Sequence, residues 1–261
     1  MLRYGETFRI VHSRKNTVLR VLFDKVPPMC GRYRLTAKER YLRDHFGLDE
    51  DPVWTPRWNI APTRQVAIIR QHPTEPRRVF SLMRWGLVPH WAKDPSIGLR
   101  TINAMSETAA EKPAFRDAIS LRRCLIPADG FYEWKRTGPK TKQAYQFDLA
   151  NGSPFAFAGL WERWHGPDRK ILETCTILTT TPNALVSNVH DRMPVILSPD
   201  DYDIWLDPGI TDPHRVADCL RPFDAKLMKK HPVSARVNRA ENDDEECARE
   251  VAIEQLDPLL F

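Results

Sequence analysis

Apolar and polar positions alternate in short runs along most of this chain, and few runs are long enough for an extended helix. Gln65–Arg70 and Arg78–Arg84 read as two strands joined by a proline-rich turn at Pro73–Pro76. Cys124–Trp134, Gln143–Leu149, Phe155–Trp161 and Ile171–Thr180 read as further strands, with Gly138-Pro139 and Asn151-Gly152 marking turns between the middle ones. Helical spacing is rarer. Thr36-Ala37-Lys38-Glu39 has the form of a capping box; Tyr41, Leu42 and Phe46 follow, and Gly47 closes the predicted helix. Phe115–Arg123 predicts a second helix, and Pro182–Val189 a short one with proline in its first turn. Ser198-Pro199 opens another that runs through Trp205, and Pro213–Leu220 forms a last. Strands cluster instead of alternating with long helices, which predicts an α+β domain over a doubly wound sheet. The acidic tail Glu241–Glu250 is expected to be solvated.

Composition narrows the class. Hydrophobic residues make up 42% of the chain, enough for a substantial core, and no run approaches the 18 or so apolar residues of a membrane span. The prediction is therefore a protein with no membrane partner. About 230 residues follow Met29, which suits one large domain or two small ones, and no repeat or linker divides them. The 22 prolines and eight tryptophans predict many turns and several cleft-lining aromatics. The five cysteines, Cys30, Cys124, Cys175, Cys219 and Cys247, form no CxxC pair and no metal-ligand spacing. Their odd number and wide gaps predict a reduced, cytoplasmic protein with no metal and no cofactor.

Charge sets the first residues apart. Met1–Pro28 holds six Lys or Arg against Glu6 and Asp24, a balance of +4, and the remainder of the chain carries +1. Nucleic-acid binding by that remainder needs a local basic patch in place of a global field. Residues 1–29 lack the apolar core and cleavage site of a secretory signal and are expected to be an extension outside the folded domain. Three readings stand for it: a start placed too far upstream, an arginine-rich organelle transit segment, or a segment released by self-cleavage before Cys30. Pro27-Pro28 stops any helix from running into Met29. The expected divisions are 1–29, a domain over 30–250 and a tail over 251–261.

If Met29 is the initiator and is removed, Cys30 becomes the first residue. It then carries an amine and a thiol on adjacent carbons, a pair no internal cysteine has. The amine can condense with an aldehyde to an imine, and the thiol can close a five-membered thiazolidine. An α-amino group titrates near about 7.7–8.0, so part of it is nucleophilic at neutral pH. A free thiol, near about 8.5, needs only a modest push.

Other blocks concentrate aromatics with polar groups. They include Trp58-Asn59-Ile60-Ala61-Pro62, Arg84-Trp85-Gly86-Leu87, His90-Trp91, Asn103-Ala104-Met105 with Glu107-Thr108, Gly130-Phe131-Tyr132-Glu133-Trp134 and His190-Asp191-Arg192-Met193-Pro194. Each alone has a plain structural explanation. Trp58 and Trp85 suit core or turn packing, His190 a surface or capping role, and Asp191–Arg192 a surface ion pair. Glu133 is different. A carboxylate flanked by Tyr132 and Trp134 in an apolar strand is expected to be desolvated, with a raised pKa. Spacing alone does not bring Cys30, Asn103, Glu133 and His190 together.

In their order and distances these blocks, with Met29-Cys30-Gly31-Arg32 and the late His231-Pro232-Val233-Ser234, Val237-Asn238 and Asn242-Asp243, resemble the SRAP family, the SOS response-associated peptidases. The similarity runs from Met29 to about Cys247. It implies a single SRAP-type domain of largely antiparallel strands in a curved, barrel-like sheet with peripheral helices. It also implies a monomeric, nucleoid-associated protein whose partner is single-stranded DNA containing abasic sites. Carried onto this chain, Cys30 matches the covalent nucleophile, Glu133 the general acid/base and Asn103 the residue that positions the sugar or the cysteine. His190 matches a second proton-transfer or phosphate-binding group. Arg32, Arg84 and Arg192 resemble phosphate contacts, and Trp91 with His90 resembles an apolar wedge at the DNA junction. Met105 stands where the family often has Arg, which removes one backbone contact. Two further readings remain beside covalent capture: a self-processing hydrolase with Cys30 as nucleophile, and a non-covalent reader of damaged DNA.

Overall fold

The computed structural model describes residues 30–252. The expected extension 1–29 and most of the tail lie outside the described residues. The strands are β1 (Tyr33–Leu35), β2 (Arg57–Ile60), β3 (Gln65–Gln71), β4 (Arg78–Trp85), β5 (Asn103–Met105), β6 (Arg123–Ala128), β7 (Gly130–Arg136), β8 (Lys142–Leu149), β9 (Phe155–His165), β10 (Ile171–Thr180), β11 (Met193–Pro194), β12 (Ile196–Leu197) and β13 (Met228–Pro232). Three short α-helices, α1 (Glu39–Phe46), α2 (Arg116–Leu121) and α3 (Tyr202–Leu206), lie among them with several 3₁₀ turns.

Five strands close on themselves in the order β10-β4-β3-β6-β9 and back to β10. Only β10 and β4 run parallel in this barrel; the other neighbours are antiparallel. Along the same edge of β10, β4 gives way to β5, which pairs Asn103 with Ile177 and Met105 with Thr179. The chain between β4 and β5 therefore leaves the barrel and returns to it. Gly86 permits the departure, at φ 124° and so close to the Gly98 carbonyl that a Cβ has no room. A second, wholly antiparallel sheet, β13-β8-β7-β1-β2, lies against the barrel.

Aromatic side chains join the two layers. Tyr33 of β1 meets Trp85 and Phe157 of the barrel edge-on at 5.4 and 5.6 Å. Phe131 of β7 stacks on Phe147 of β8 at 4.9 Å and reaches Phe157 at 6.2 Å. A smaller cluster on the far side of the second sheet holds Tyr132, Ala144, Val233, Val237 and Cys247. The α+β, barrel-like architecture agrees with the sequence expectation.

Four details differ. The capping box does not form: Lys38 is the N-cap of α1 and makes no side-chain capping bond, and Thr36 instead gives its N–H and hydroxyl to Asp129 Oδ2 at 2.5 and 2.8 Å. Gly47 does close the helix, at φ 60°. The run Cys124–Trp134 is two strands, because the chain crosses from barrel to sheet at Asp129, whose carboxylate also takes the Ala37 N–H. Pro182–Val189 makes consecutive turns, not a helix, because Asn183 Oδ1 captures the N–H groups of Leu185 and Val186. The acidic tail is only partly solvated. Asp243 pairs with Arg57 and accepts from the N–H groups of Trp58 and Asn59 at 2.7 and 2.9 Å.

Candidate active site

The site begins with the alternation of β7. Successive side chains point to opposite faces, so Tyr132 and Trp134 face away from the barrel while Phe131 and Glu133 face it. Glu133 is therefore sealed between the layers, 1% exposed. The Tyr132 N–H bonds the Arg32 carbonyl at 3.0 Å and holds the residues before β1 alongside β7. That contact brings Cys30 to Glu133: the Cys30 backbone nitrogen donates to Glu133 Oε1 at 2.9 Å. Asn103, at the start of β5 and buried, points its Nδ2 at the Cys30 carbonyl at 3.5 Å. Its Oδ1 is buried with no hydrogen-bond partner among the described residues. His190 leaves the Asn183 turn with its N–H on the Val186 carbonyl, which aims Nε2 at Glu133 Oε2, 3.9 Å away. Its Nδ1 lies 3.1 Å from both the Arg192 N–H and Asp191 Oδ1. Elements far apart in sequence thus bring all four predicted residues together.

Burial dominates the electrostatics. It pushes the Glu133 carboxyl up to about 8, partly offset by its hydrogen bonds from Cys30, while nearby Asp191 pushes it further up. Burial and the Glu133 carboxylate also hold the Cys30 thiol well above its ordinary range, with Arg192 opposing them. A carboxyl ionising near 8 is mostly protonated at neutral pH with a smaller ionised fraction, and can both give and take a proton. Among the described residues no three His, Cys, Asp or Glu side chains group as a metal site requires.

The predicted DNA contacts are less uniform. Trp91 is half exposed on the chain that leaves the barrel, its indole N–H on the Pro113 carbonyl at 3.3 Å. His90 beside it is exposed, 3.4 Å from Glu162. Arg84, on β4, forms no ion pair among the described residues. Arg32 is turned inward to Asn59 Oδ1 and the Val237 carbonyl at 3.0 and 2.9 Å. Arg192 is clamped by Glu107 in a bidentate pair at 2.7 and 2.8 Å and also bonds the Thr179 carbonyl. The Asp191–Arg192 surface pair suggested by sequence is not made: Arg192 selects Glu107, and Asp191 turns to His190. Met105 is exposed two residues beyond Asn103. A separate cavity of about 690 Å³ lies behind the second sheet, lined by Arg34, Trp58, Asp148 and the 245–250 segment, and includes none of the four site residues.

A sequence profile described as SOS response associated peptidase (SRAP) matches residues 29–240. This chain belongs to the SRAP family. It is 43% identical over 221 residues to the abasic site processing protein YoqW of Bacillus subtilis, covering 84% of this chain and 98% of that one. It is 32% identical over 260 residues to the abasic site processing protein HMCES of Gallus gallus, covering 84% and 77%. In three dimensions it matches a crystal structure from Bacteroides thetaiotaomicron with a TM-score of 0.76 and 25% identity, over 85% of this chain and all of the other. A protein from Bordetella bronchiseptica matches with a TM-score of 0.69 and 27% identity, over 78% of this chain and all of the other. The SRAP profile thus begins at the residue before Cys30 and takes in the whole Cys30–Asn103–Glu133–His190 cluster.

The buried carboxyl has a cost that can be measured. Unfolded, Glu133 ionises near the ordinary glutamate value of 4.5; folded, it ionises near 8. Between those values the folded chain binds the extra proton, so Glu133 lowers stability progressively as pH rises from about 4.5 to 8. Glu133→Gln removes this penalty. It is expected to raise the melting temperature by several degrees at pH 8 and very little at pH 5, a change of a few kcal/mol read by calorimetry at both pH values.

Proposed function

We propose that this protein captures abasic sites in single-stranded DNA as a covalent thiazolidine on Cys30, and so shields them from strand scission. The observation that carries the reading is the 2.9 Å bond from the Cys30 nitrogen to Glu133 Oε1 inside a buried site. A nitrogen that must shed a proton to attack an aldehyde already rests on a carboxylate able to take it. The SRAP relatives' names, abasic site processing proteins, supply the substrate.

The chemistry requires Met29 to be absent, leaving Cys30 with a free amine. Cys30 sits at φ 31°, a region costly for a residue with a side chain, and a first residue has no such torsion. Glu133, protonated, gives its proton to the ring oxygen of the abasic sugar and takes the C1 hydroxyl proton in return, which opens the aldehyde and leaves Glu133 protonated again. The amine adds to the carbonyl carbon as one of its protons passes to the oxygen; Glu133 then gives its proton to the resulting hydroxyl, which leaves as water, and takes the remaining proton from nitrogen, so that an imine remains. The thiol then adds across the C=N bond: sulfur bonds to carbon, and its proton goes to nitrogen. Asn103 Oδ1, buried and without a partner among the described residues, is an acceptor for a sugar hydroxyl.

The test is incubation of protein verified to begin at Cys30 with an abasic single-stranded oligonucleotide, followed by denaturing electrophoresis. A heat-stable adduct of one protein per oligonucleotide is expected. Its absence overturns the proposal.

Non-covalent affinity is assigned to phosphates, with Arg84 as the contact whose side chain makes neither an ion pair nor a hydrogen bond among the described residues, whereas Arg32 and Arg192 are held by internal partners. Arg84→Ala is expected to weaken binding to all sequences alike and to reduce the salt slope by about 0.7, the single-strand value per phosphate. Titrations at several salt concentrations on two unrelated sequences check this. A loss confined to one sequence contradicts it.

A further inference from the structure

Asp191 has 83% of its side chain exposed, yet its carboxylate lies on an inward-facing histidine. His190 Nδ1 is 3.1 Å from Asp191 Oδ1, 3.1 Å from the Arg192 N–H and 3.3 Å from the Arg192 carbonyl. Bare, that nitrogen accepts from the Arg192 N–H; protonated, it donates to the Asp191 carboxylate. Both states of Nδ1 therefore have a partner in place without movement of the ring. On its other side Nε2 faces Glu133 Oε2 at 3.9 Å, a gap that one small shift or one bridging hydroxyl closes. The charged and titratable groups around this line are Cys30, Glu133 of β7, Asp191, and Arg192 with its partner Glu107.

We infer that Asp191 is a positioning residue: it holds a proton on His190 Nδ1 and completes a path from Glu133 through His190 to solvent. The inference rests on the proposed function and assigns it a proton route. Starting from an ammonium, the amine must release one proton before it attacks; imine formation and ring closure then release water and no further proton. That single proton passes from the Cys30 nitrogen to the Glu133 carboxylate and on to Nε2 of His190. The proton on Nδ1 leaves to Asp191, which is open to bulk water. His190 then acts in proton transfer, and phosphate binding is left to other residues.

The experiment is single-turnover crosslinking to an abasic single-stranded oligonucleotide across pH 5 to 9, with wild type, Asp191→Asn and Asp191→Glu, beside binding of an oligonucleotide with all bases intact. An exposed substitution leaves the fold and that binding unchanged. Without the negative charge, both limbs of the Asp191→Asn profile are expected to move to lower pH by about half a unit, the screened form of a neighbouring-charge shift. The maximal rate falls several-fold, and Asp191→Glu recovers most of it. An unmoved profile for Asp191→Asn beside an active wild type overturns the inference and leaves covalent capture intact. So does an Asp191→Glu variant as impaired as Asp191→Asn. A wild type that forms no adduct overturns the proposed function, and the relay with it.

Discussion

Cys30→Ala is expected to reduce heat-stable capture of abasic single-stranded DNA to below detection while leaving reversible DNA binding close to wild type. The amine survives in this variant, so an imine can still form. With no thiol to add across it, the imine hydrolyses when the sample is heated. Cys30→Ser probes the same step, because a hydroxyl in place of sulfur closes a ring that opens readily in water. Substitution at a buried position also costs packing, but Ala removes only a single sulfur from the core at Cys30. A complementary arm keeps the thiol and removes the amine: protein verified by intact mass to retain residues 1–29 is expected to bind DNA and form no stable adduct. Borohydride reduction separates the two outcomes, since it traps an imine from Cys30→Ala and traps nothing from the extended chain. A heat-stable adduct from either protein would sink the thiazolidine assignment.

Glu133→Gln is expected to slow capture by about 10²-fold or more, the usual size of a general acid/base contribution. Glutamine keeps the shape and can accept the hydrogen bond from the Cys30 nitrogen, so the geometry at 2.9 Å persists. What it loses is the proton. The sign of the pH effect follows from the direction of the shift. Glu133 ionises near 8, so its service as an acid is complete well below that value and is lost as pH rises through it. Wild-type capture that depends on ring opening falls above about pH 8, and the Glu133→Gln rate lacks that limb. DNA affinity changes little, because a carboxyl only 1% exposed does not reach a phosphate. Matching rates for the two proteins across the pH range make Glu133 a structural residue. Its stability penalty at pH 8 and its catalytic service are one property, since the desolvation that weakens the fold also keeps the proton available.

The strands of the barrel were legible because their apolar runs are long and bounded by turn residues, as in Gln65–Arg70 and Ile171–Thr180. The crossing at Asp129 was not, because both sides of it are apolar strand. Only a carboxylate with three tertiary donors, two of them on Thr36, marks the break. The same bonds explain the missing cap on α1, whose Thr36 is taken by a residue 93 positions away. Within the site, the burial of Glu133 was readable from its aromatic neighbours. The clamp of Glu107 on Arg192 and the contact of Asp191 with His190 were hidden, because a His-Asp-Arg triplet pairs adjacent charges as plausibly as distant ones. Asp243 reads as one acid among several in an acidic stretch, and only the fold reveals that it holds β2.

The order of synthesis adds a constraint of its own. Cys30 leaves the ribosome early, yet the carboxylate that receives it is 103 residues further on, and the Asp243 that holds β2 beside β1 lies 186 residues beyond Arg57. At about 5–20 residues per second, Cys30 of a nascent chain waits on the order of ten seconds or more for its enclosure. Under the proposed chemistry, a Cys30 freed of Met29 is open during that interval to any small aldehyde in the cell. Under the proposed chemistry, completion of the C-terminal segment is thus also what closes Cys30 to such competitors.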